Sequence, residues 1–279
     1  MTPDHISQQR AVYAIAGMER ADVRKDLVYR TTAAGPLTMD LYAPEHAADA
    51  PLPAVVLVAG YNDIGYEKML GVKFKEMAMT VSWGQLIAAS GMTAVAYTNR
   101  EPAADLDALL EHLRDNAAAL GIDGERIGLW ACSGSVPLAL SAMLAPRRDY
   151  LKCAALLYGF MLDLDGATGV ADAAQTFRFV NPNAGKSIED LPAALPLFVA
   201  RAGREQFPGL NDSIDRFAAC ALALNRPITL VNHPEGPHAF DLLDDSGTSR
   251  AIIEDVLTFL RRSTSRGSSS PWRRGYRRP

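Results

Sequence analysis

The chain has 279 residues, of which 48% are hydrophobic and 22% charged, the balance of a globular protein with material for one large core or two small ones. Its net charge of −4 conceals five arginines and no acid in the last fourteen residues. The remainder is therefore more acidic still, which argues against a nucleic-acid-binding surface.

Three widely spaced cysteines, Cys132, Cys153 and Cys220, offer neither a C-x-x-C pair nor a disulfide framework. The N-terminus lacks a basic start followed by a long apolar run, and no apolar stretch approaches the ~20 residues of a membrane span. These features point to a cytoplasmic protein without a membrane partner; the oligomeric state is not encoded legibly.

Residues 1–24 are expected to form a helical segment, with a helix over about 5–20 carrying Ile6, Val12, Ile15 and Met18. Two short strands follow at 26–30 and 37–42. The second alternates Leu37, Met39 and Leu41 with Thr38, Asp40 and Tyr42, as a half-buried antiparallel edge strand should. From residue 53 the chain changes character. The run 53–60 (PAVVLVAG) is continuously apolar, the mark of a strand buried on both faces, and 92–98, 127–131, 154–158, 197–200 and 228–232 repeat it.

Helices separate most of these runs. The clearest, 103–120, sets Leu106, Leu109, Leu110, Leu113, Ala117 and Leu120 on one stripe. Others are expected at 74–90 after a Gly-rich loop, at 136–144, at 212–224 with Asn211 or Asp212 as cap, and at 249–262. The alternation predicts an α/β domain over 25–263: a mostly parallel sheet with antiparallel N-terminal strands and helices on both faces. Segments 61–90 and 159–191 fall outside the rhythm and are expected to form a pocket wall or lid. The tail 264–279, rich in Ser, Gly, Pro and Arg, is expected to be disordered.

Between the strand at 127–131 and the helix at 136–144 lies Trp130-Ala131-Cys132-Ser133-Gly134-Ser135. A serine flanked two residues away by small residues, at a strand-to-helix turn, has the pattern of a nucleophile elbow. The register follows from size. Centring on Cys132 would place Trp130 against the turn, and centring on Ser135 would place Pro137 there. Ser133 needs only Ala131 and Ser135, so it is the candidate nucleophile.

Serine requires a histidine to take its proton, and the histidine requires an acid. Behind such an elbow the order is Ser, acid, His. That order removes His5, His46 and His112 and leaves His233 and His238. His238, in the loop Gly236-Pro237-His238-Ala239-Phe240, is the candidate base, with His233 at a strand end read as structural. The acid belongs after the strand at 197–200, where Glu205, Asp212 and Asp215 are candidates and Glu205 comes first. An oxyanion hole needs two N–H donors. Gly134 supplies one, and the Gly60-Tyr61-Asn62 loop the other, through Tyr61 or else Asn62.

Taken together, the VVLVAGY, WACSGS, ARAGRE and GPHAF segments resemble an α/β-hydrolase of the dienelactone-hydrolase/esterase type over about residues 25–263. The resemblance implies a cofactor-free serine hydrolase acting on small-molecule carboxylic esters. Ser133, Glu205 and His238 would be its triad, and Tyr61 and Gly134 its oxyanion donors. Asn62, Cys132, Phe160 and Met161 would lie at the substrate, although the two from the insertion could equally pack it against the sheet.

Three departures stand out: Ala59-Gly60 replaces His-Gly, Ala131 and Ser135 replace the elbow glycines, and Glu205 replaces aspartate. Dienelactone hydrolases use a cysteine at the elbow, and Cys132 is one position off, so their substrate does not carry over. Lactonase, peptidase or acyltransferase activity on the same fold stays open, as do a thiol hydrolase using Cys132 and a non-catalytic binder. No HExxH, phosphate-binding Gly-rich loop or His/Cys cluster is present in the sequence. The acidic residues Asp163, Asp165 and Asp172 read as a solvated face, so no metal is expected.

Overall fold

The computed structural model describes residues 6–45 and 50–265. His5, His46 and nearly all of the Arg-rich tail lie outside the described residues. Every apolar run that reads as a strand forms one. They are β1 (Asp22–Thr32), β2 (Gly35–Ala43), β3 (Leu52–Leu57), β4 (Thr93–Tyr97), β5 (Ile122–Cys132), β6 (Leu151–Leu157), β7 (Leu197–Arg204) and β8 (Ile228–Pro237). They make one eight-stranded sheet in the order β1-β2-β4-β3-β5-β6-β7-β8. β1–β2 and β2–β4 pair antiparallel, and all later neighbours pair parallel.

The helices are α1 (Asp63–Leu70), α2 (Ala78–Ala89), α3 (Pro102–Asp115), α4 (Ala117–Leu120), α5 (Val136–Leu144), α6 (Gly169–Phe177), α7 (Leu210–Ala223), α8 (Phe240–Leu243) and α9 (Gly247–Ser263). The strand order reverses direction at β3. Crossovers between parallel strands are right-handed, so α2, leading from β3 back to β4, covers one face. The connections through α3, α5 and α7 run the other way and cover the opposite face. α9 shares the face of α2: Trp130 of β5 meets Trp83 at 4.8 Å between ring centroids, while Gly128, two residues earlier, approaches Leu260.

The structure corrects several expectations. No helix forms over 5–20; only single turns occur at Ile6–Gln8 and Met18–Arg20. The apolar residues instead anchor an irregular segment across α2, where the Ala11 N–H donates to Ser82 Oγ at 3.0 Å and the Val12 N–H to the Asp241 carbonyl at 2.8 Å. β2 is interior rather than an edge, because β1 covers its free side. Asp40 and Tyr42 are buried because their face is covered as well, Tyr42 beneath Gly84 of α2 and Asp40 on Lys75.

The helix expected over 103–120 breaks at Asn116, whose side chain donates to the His112 carbonyl. The loop before 74 contains α1, and 74–90 divides into a turn at Phe74–Glu76 and α2. α7 starts behind Gly209, not behind a side-chain cap. Asn211 donates to the Ala202 carbonyl, and Asp212 lies in the first turn. No helix among the described residues is long and apolar enough to cross a membrane.

The Lys75 ammonium, 6% exposed, donates to Asp40 at 2.8 Å and Asp26 at 2.7 Å. Burial disfavours its charge, but the two carboxylates outweigh that penalty and hold its pKa above the ordinary value. Asp40→Ala leaves a buried ammonium with one exposed partner and is expected to lower stability by about 3 kcal/mol in urea unfolding. A loss below about 1 kcal/mol would show that Asp26 and water suffice.

Candidate active site

β3, β5, β6, β7 and β8 run parallel, so their carboxyl ends lie along one edge, where ligands meet sheets of this kind. Ser133 is the first residue after β5, Glu205 the first after β7, and His238 the first after β8. Ser133 has φ +51, a left-handed conformation that a non-glycine residue rarely adopts. It turns the chain from β5 through a short 3-10 turn (Ser133–Ser135) into α5.

The turn is crowded from both sides. A Cβ on Gly60 would lie 2.2 Å from the Gly134 carbonyl oxygen and 2.5 Å from Ser135 Cα. One on Gly159 would lie 2.5 Å from the Ser133 carbonyl oxygen. Ser135, in place of the second elbow glycine, is small enough and contributes an acceptor: its Oγ receives the Gly60 N–H at 2.9 Å.

The three side chains form one hydrogen-bonded line. Ser133 Oγ lies 2.8 Å from His238 Nε2, and His238 Nδ1 lies 2.6 Å from Glu205 Oε2. With Nδ1 facing a carboxylate, that nitrogen is the donor, and Nε2 presents its lone pair to the serine hydroxyl. The other Glu205 oxygen accepts the N–H groups of Gln206 at 2.8 Å and Phe207 at 2.9 Å. Burial of the carboxylate, 1% exposed, pushes its pKa up. The bond and charge of His238 and the two backbone donors outweigh burial, and the net shift is downward.

The other candidates are engaged elsewhere. Asp215 pairs with Arg201 at 2.9 Å, and Arg204 pairs with Glu235 rather than Glu205. His233 Nε2 lies between Asp244 and Ser249, tying β8 to the start of α9.

The loop after β3 is held at three points. The Gly60 carbonyl accepts the Val180 N–H at 2.9 Å, and in a trans peptide the N–H of the next residue points the opposite way. This turns the Tyr61 N–H away from Val180, and neither it nor the Gly134 N–H is taken up by a hydrogen bond among the described residues. The Asn99 side chain donates to the Tyr61 carbonyl at 3.2 Å, and the Asn99 N–H to Asp63 Oδ2 at 3.1 Å. The exposed Asn62 caps α1, its side-chain oxygen accepting the Gly65 N–H at 2.7 Å.

Of the other residues expected at the substrate, Phe160 is buried and stacked on Phe179 at 5.6 Å, and Met161 lies in the core with its N–H on Ser213. Both pack the insertion rather than line an open wall. Cys132 is buried, which pushes its thiol pKa well above the ordinary value. Phe207 was not anticipated: partly exposed, it stands edge-on to His238 at 4.7 Å and to Phe177 at 5.1 Å. Val180 and Asn99 were also missed, as was the acceptor role of Ser135, because each acts through hydrogen bonds to loop backbone that leave no motif. The acidic insertion residues have local work: Asp163 accepts the N–H groups of Val170 and Ala171 at the start of α6, and Asp172 accepts the Thr168 hydroxyl. No group of three or more His, Cys, Asp or Glu suited to a metal ion occurs among the described residues.

No family model and no curated protein sequence matches the chain. Solved structures do. A bacterial heroin esterase is 16% identical with a TM-score of 0.69, covering 91% of this chain and 87% of its own. Esterase LipW from Mycobacterium marinum is 21% identical with a TM-score of 0.64, covering 87% and 82%. An alpha/beta hydrolase enzyme from the metagenome of Lake Arreo is 18% identical with a TM-score of 0.65, covering 88% and 86%. The protein therefore has the α/β-hydrolase fold.

Two outcomes follow from the loop. Gly60→Ala puts a methyl group into backbone that cannot retreat without moving the elbow, and it is expected to cost at least about 3 kcal/mol in thermal unfolding. Near-native stability would mean the elbow is compliant. Asp63 is buried, which raises its pKa to about 6. The folded protein then holds a proton that the unfolded chain releases near pH 4, so this residue's contribution falls as pH rises from about 4 to 6 and stays lost above. Asp63→Asn is expected to stabilise the protein at pH 8 by up to about 2–3 kcal/mol, with the gain vanishing below about pH 4. A gain independent of pH would contradict the assignment.

Proposed function

We propose that the protein is a serine hydrolase that cleaves carboxylic esters of small molecules through an acyl-enzyme. The observation that carries this reading is the unbroken line Ser133–His238–Glu205, begun by a serine in left-handed backbone. Structural likeness to proteins described as esterases favours esters over other acyl donors. The partly exposed Phe207 beside His238 favours an apolar leaving group.

As Ser133 Oγ bonds to the ester carbonyl carbon, its proton passes to His238 Nε2. The carbonyl oxygen becomes an anion, met by the N–H groups of Tyr61 and Gly134. Glu205 stabilises the imidazolium and fixes its orientation. When the carbon–oxygen bond to the leaving group breaks, His238 returns the proton to that oxygen and an alcohol departs. A water molecule then gives its proton to His238 as its oxygen attacks the acyl carbon. The bond to Ser133 Oγ breaks, Ser133 recovers the proton, and a carboxylic acid leaves. No step calls for a cofactor.

Ser133→Ala is expected to lower kcat/KM for p-nitrophenyl acetate and butyrate by at least about 10³-fold with the melting temperature unchanged. Glu205→Gln is expected to lower kcat by about 10² to 10⁴, because an amide cannot stabilise the imidazolium. Undiminished hydrolysis by the Ser133→Ala protein would overturn the proposal.

A further inference from the structure

The residues described so far leave one carboxylate near His238 without a part. Asp241, on α8 three residues after His238, is fully buried. Its Oδ1 accepts the Tyr158 hydroxyl at 2.5 Å and its Oδ2 accepts the Trp83 indole N–H at 2.8 Å. Both donors are neutral, and no ion pair to Asp241 occurs among the described residues. Trp83 can only donate, so Oδ2 must be an acceptor, and two accepting oxygens suit the carboxylate anion. Burial opposes that charge and raises the Asp241 pKa, against the pull of the two donors and of His238.

Tyr158 connects this group to the site. Its ring stands edge-on to His238 at 5.0 Å while its hydroxyl reaches Asp241. Its backbone, directly after β6, has φ +35, which holds the ring between the two. The titratable groups facing this region are Glu205 from the end of β7, Tyr158 after β6, Cys132 at the end of β5 and Asp241 from α8. Burial keeps the Tyr158 phenol and the Cys132 thiol neutral, which leaves the carboxyl groups of Glu205 and Asp241 as the two here able to carry negative charge.

We propose that Asp241 is a positioning residue for His238, acting through Tyr158: its buried negative charge favours the imidazolium that forms when His238 takes the Ser133 proton. It stands behind the ring, while Glu205 meets the ring at Nδ1. This inference rests on the hydrolase reading.

The test is the pH dependence of kcat/KM for p-nitrophenyl butyrate in wild type, Asp241→Asn and Tyr158→Phe. Removing the charge makes His238 harder to protonate, so the acid limb of the profile moves to lower pH by about half a unit. The plateau falls by about threefold or more. Tyr158→Phe, which strips the anion of a donor and neutralises Asp241, moves the limb in the same direction and serves if the Asn variant does not fold. A purely structural tie would lower stability or kcat with the limb in place, and that result overturns the proposal. A wild-type protein inert to both the ester and a fluorophosphonate overturns the hydrolase reading itself, and this inference with it.

Discussion

Three chain segments meet at the end of β5 at distances that only bare backbone tolerates: the loop after β3 at Gly60, the elbow at Ser133–Ser135, and the exit from β6 at Gly159. Parallel strands with right-handed twist bring neighbouring carboxyl ends together at one edge, and here the approach is so close that even a methyl group would have to displace backbone. The crowding accounts for the small residues at 60, 134, 135 and 159. It also presses the loop after β3 against the elbow, where the Gly60 N–H finds the Ser135 hydroxyl. The Gly60 carbonyl, facing outward, is then met by Val180 from the insertion. A long excursion from the sheet thereby becomes part of the wall around Ser133.

Three of the eight described non-glycine residues with positive φ lie at the same edge. Ser133, Tyr158 and Ala239 all have positive φ, and they lie in the elbow, behind His238 and directly after it. Strain of this kind costs of order 1–3 kcal/mol per residue and persists only where the surroundings enforce it. Buried carboxylates gather there too: Glu205 with three donors, Asp241 with two neutral donors, and Asp63 beneath the loop after β3. The buried pair Lys75–Asp40 lies among the antiparallel strands, and there too a partner is strained: Asp26, the second carboxylate on Lys75, has φ +56. A fold spends stability in this pattern where side chains must be held in one chemical arrangement.

Six of the eight strands were legible as continuous apolar runs, and β1 and β2 as short strands ahead of them, β2 by its alternation. The early segment was misread because the spacing of Ile6, Val12, Ile15 and Met18 suits a helix. Those residues instead meet partners on α2 and α8, contacts between positions up to 229 residues apart that no local pattern records. β2 was misplaced for a related reason: alternation shows which residues share a face, but not whether another strand lies beyond. At the site, size fixed the elbow on Ser133, and chain order brought forward His238 and, among three acids, Glu205. The supporting groups stayed hidden. Val180 acts through its backbone, Ser135 through one side-chain hydrogen bond and Asn99 through its backbone and side chain together, while Asp241 follows the histidine, so chain order does not bring it forward.

The central claim is that His238 and Glu205 make Ser133 a nucleophile. The most direct measurement is the rate of fluorophosphonate labelling, with the labelled residue located by peptide mass spectrometry, in wild type and in His238→Ala. The account predicts one label per chain on Ser133, formed at least about 10²-fold more slowly without the histidine. No label on wild-type Ser133, or a label that forms equally fast without His238, would contradict it.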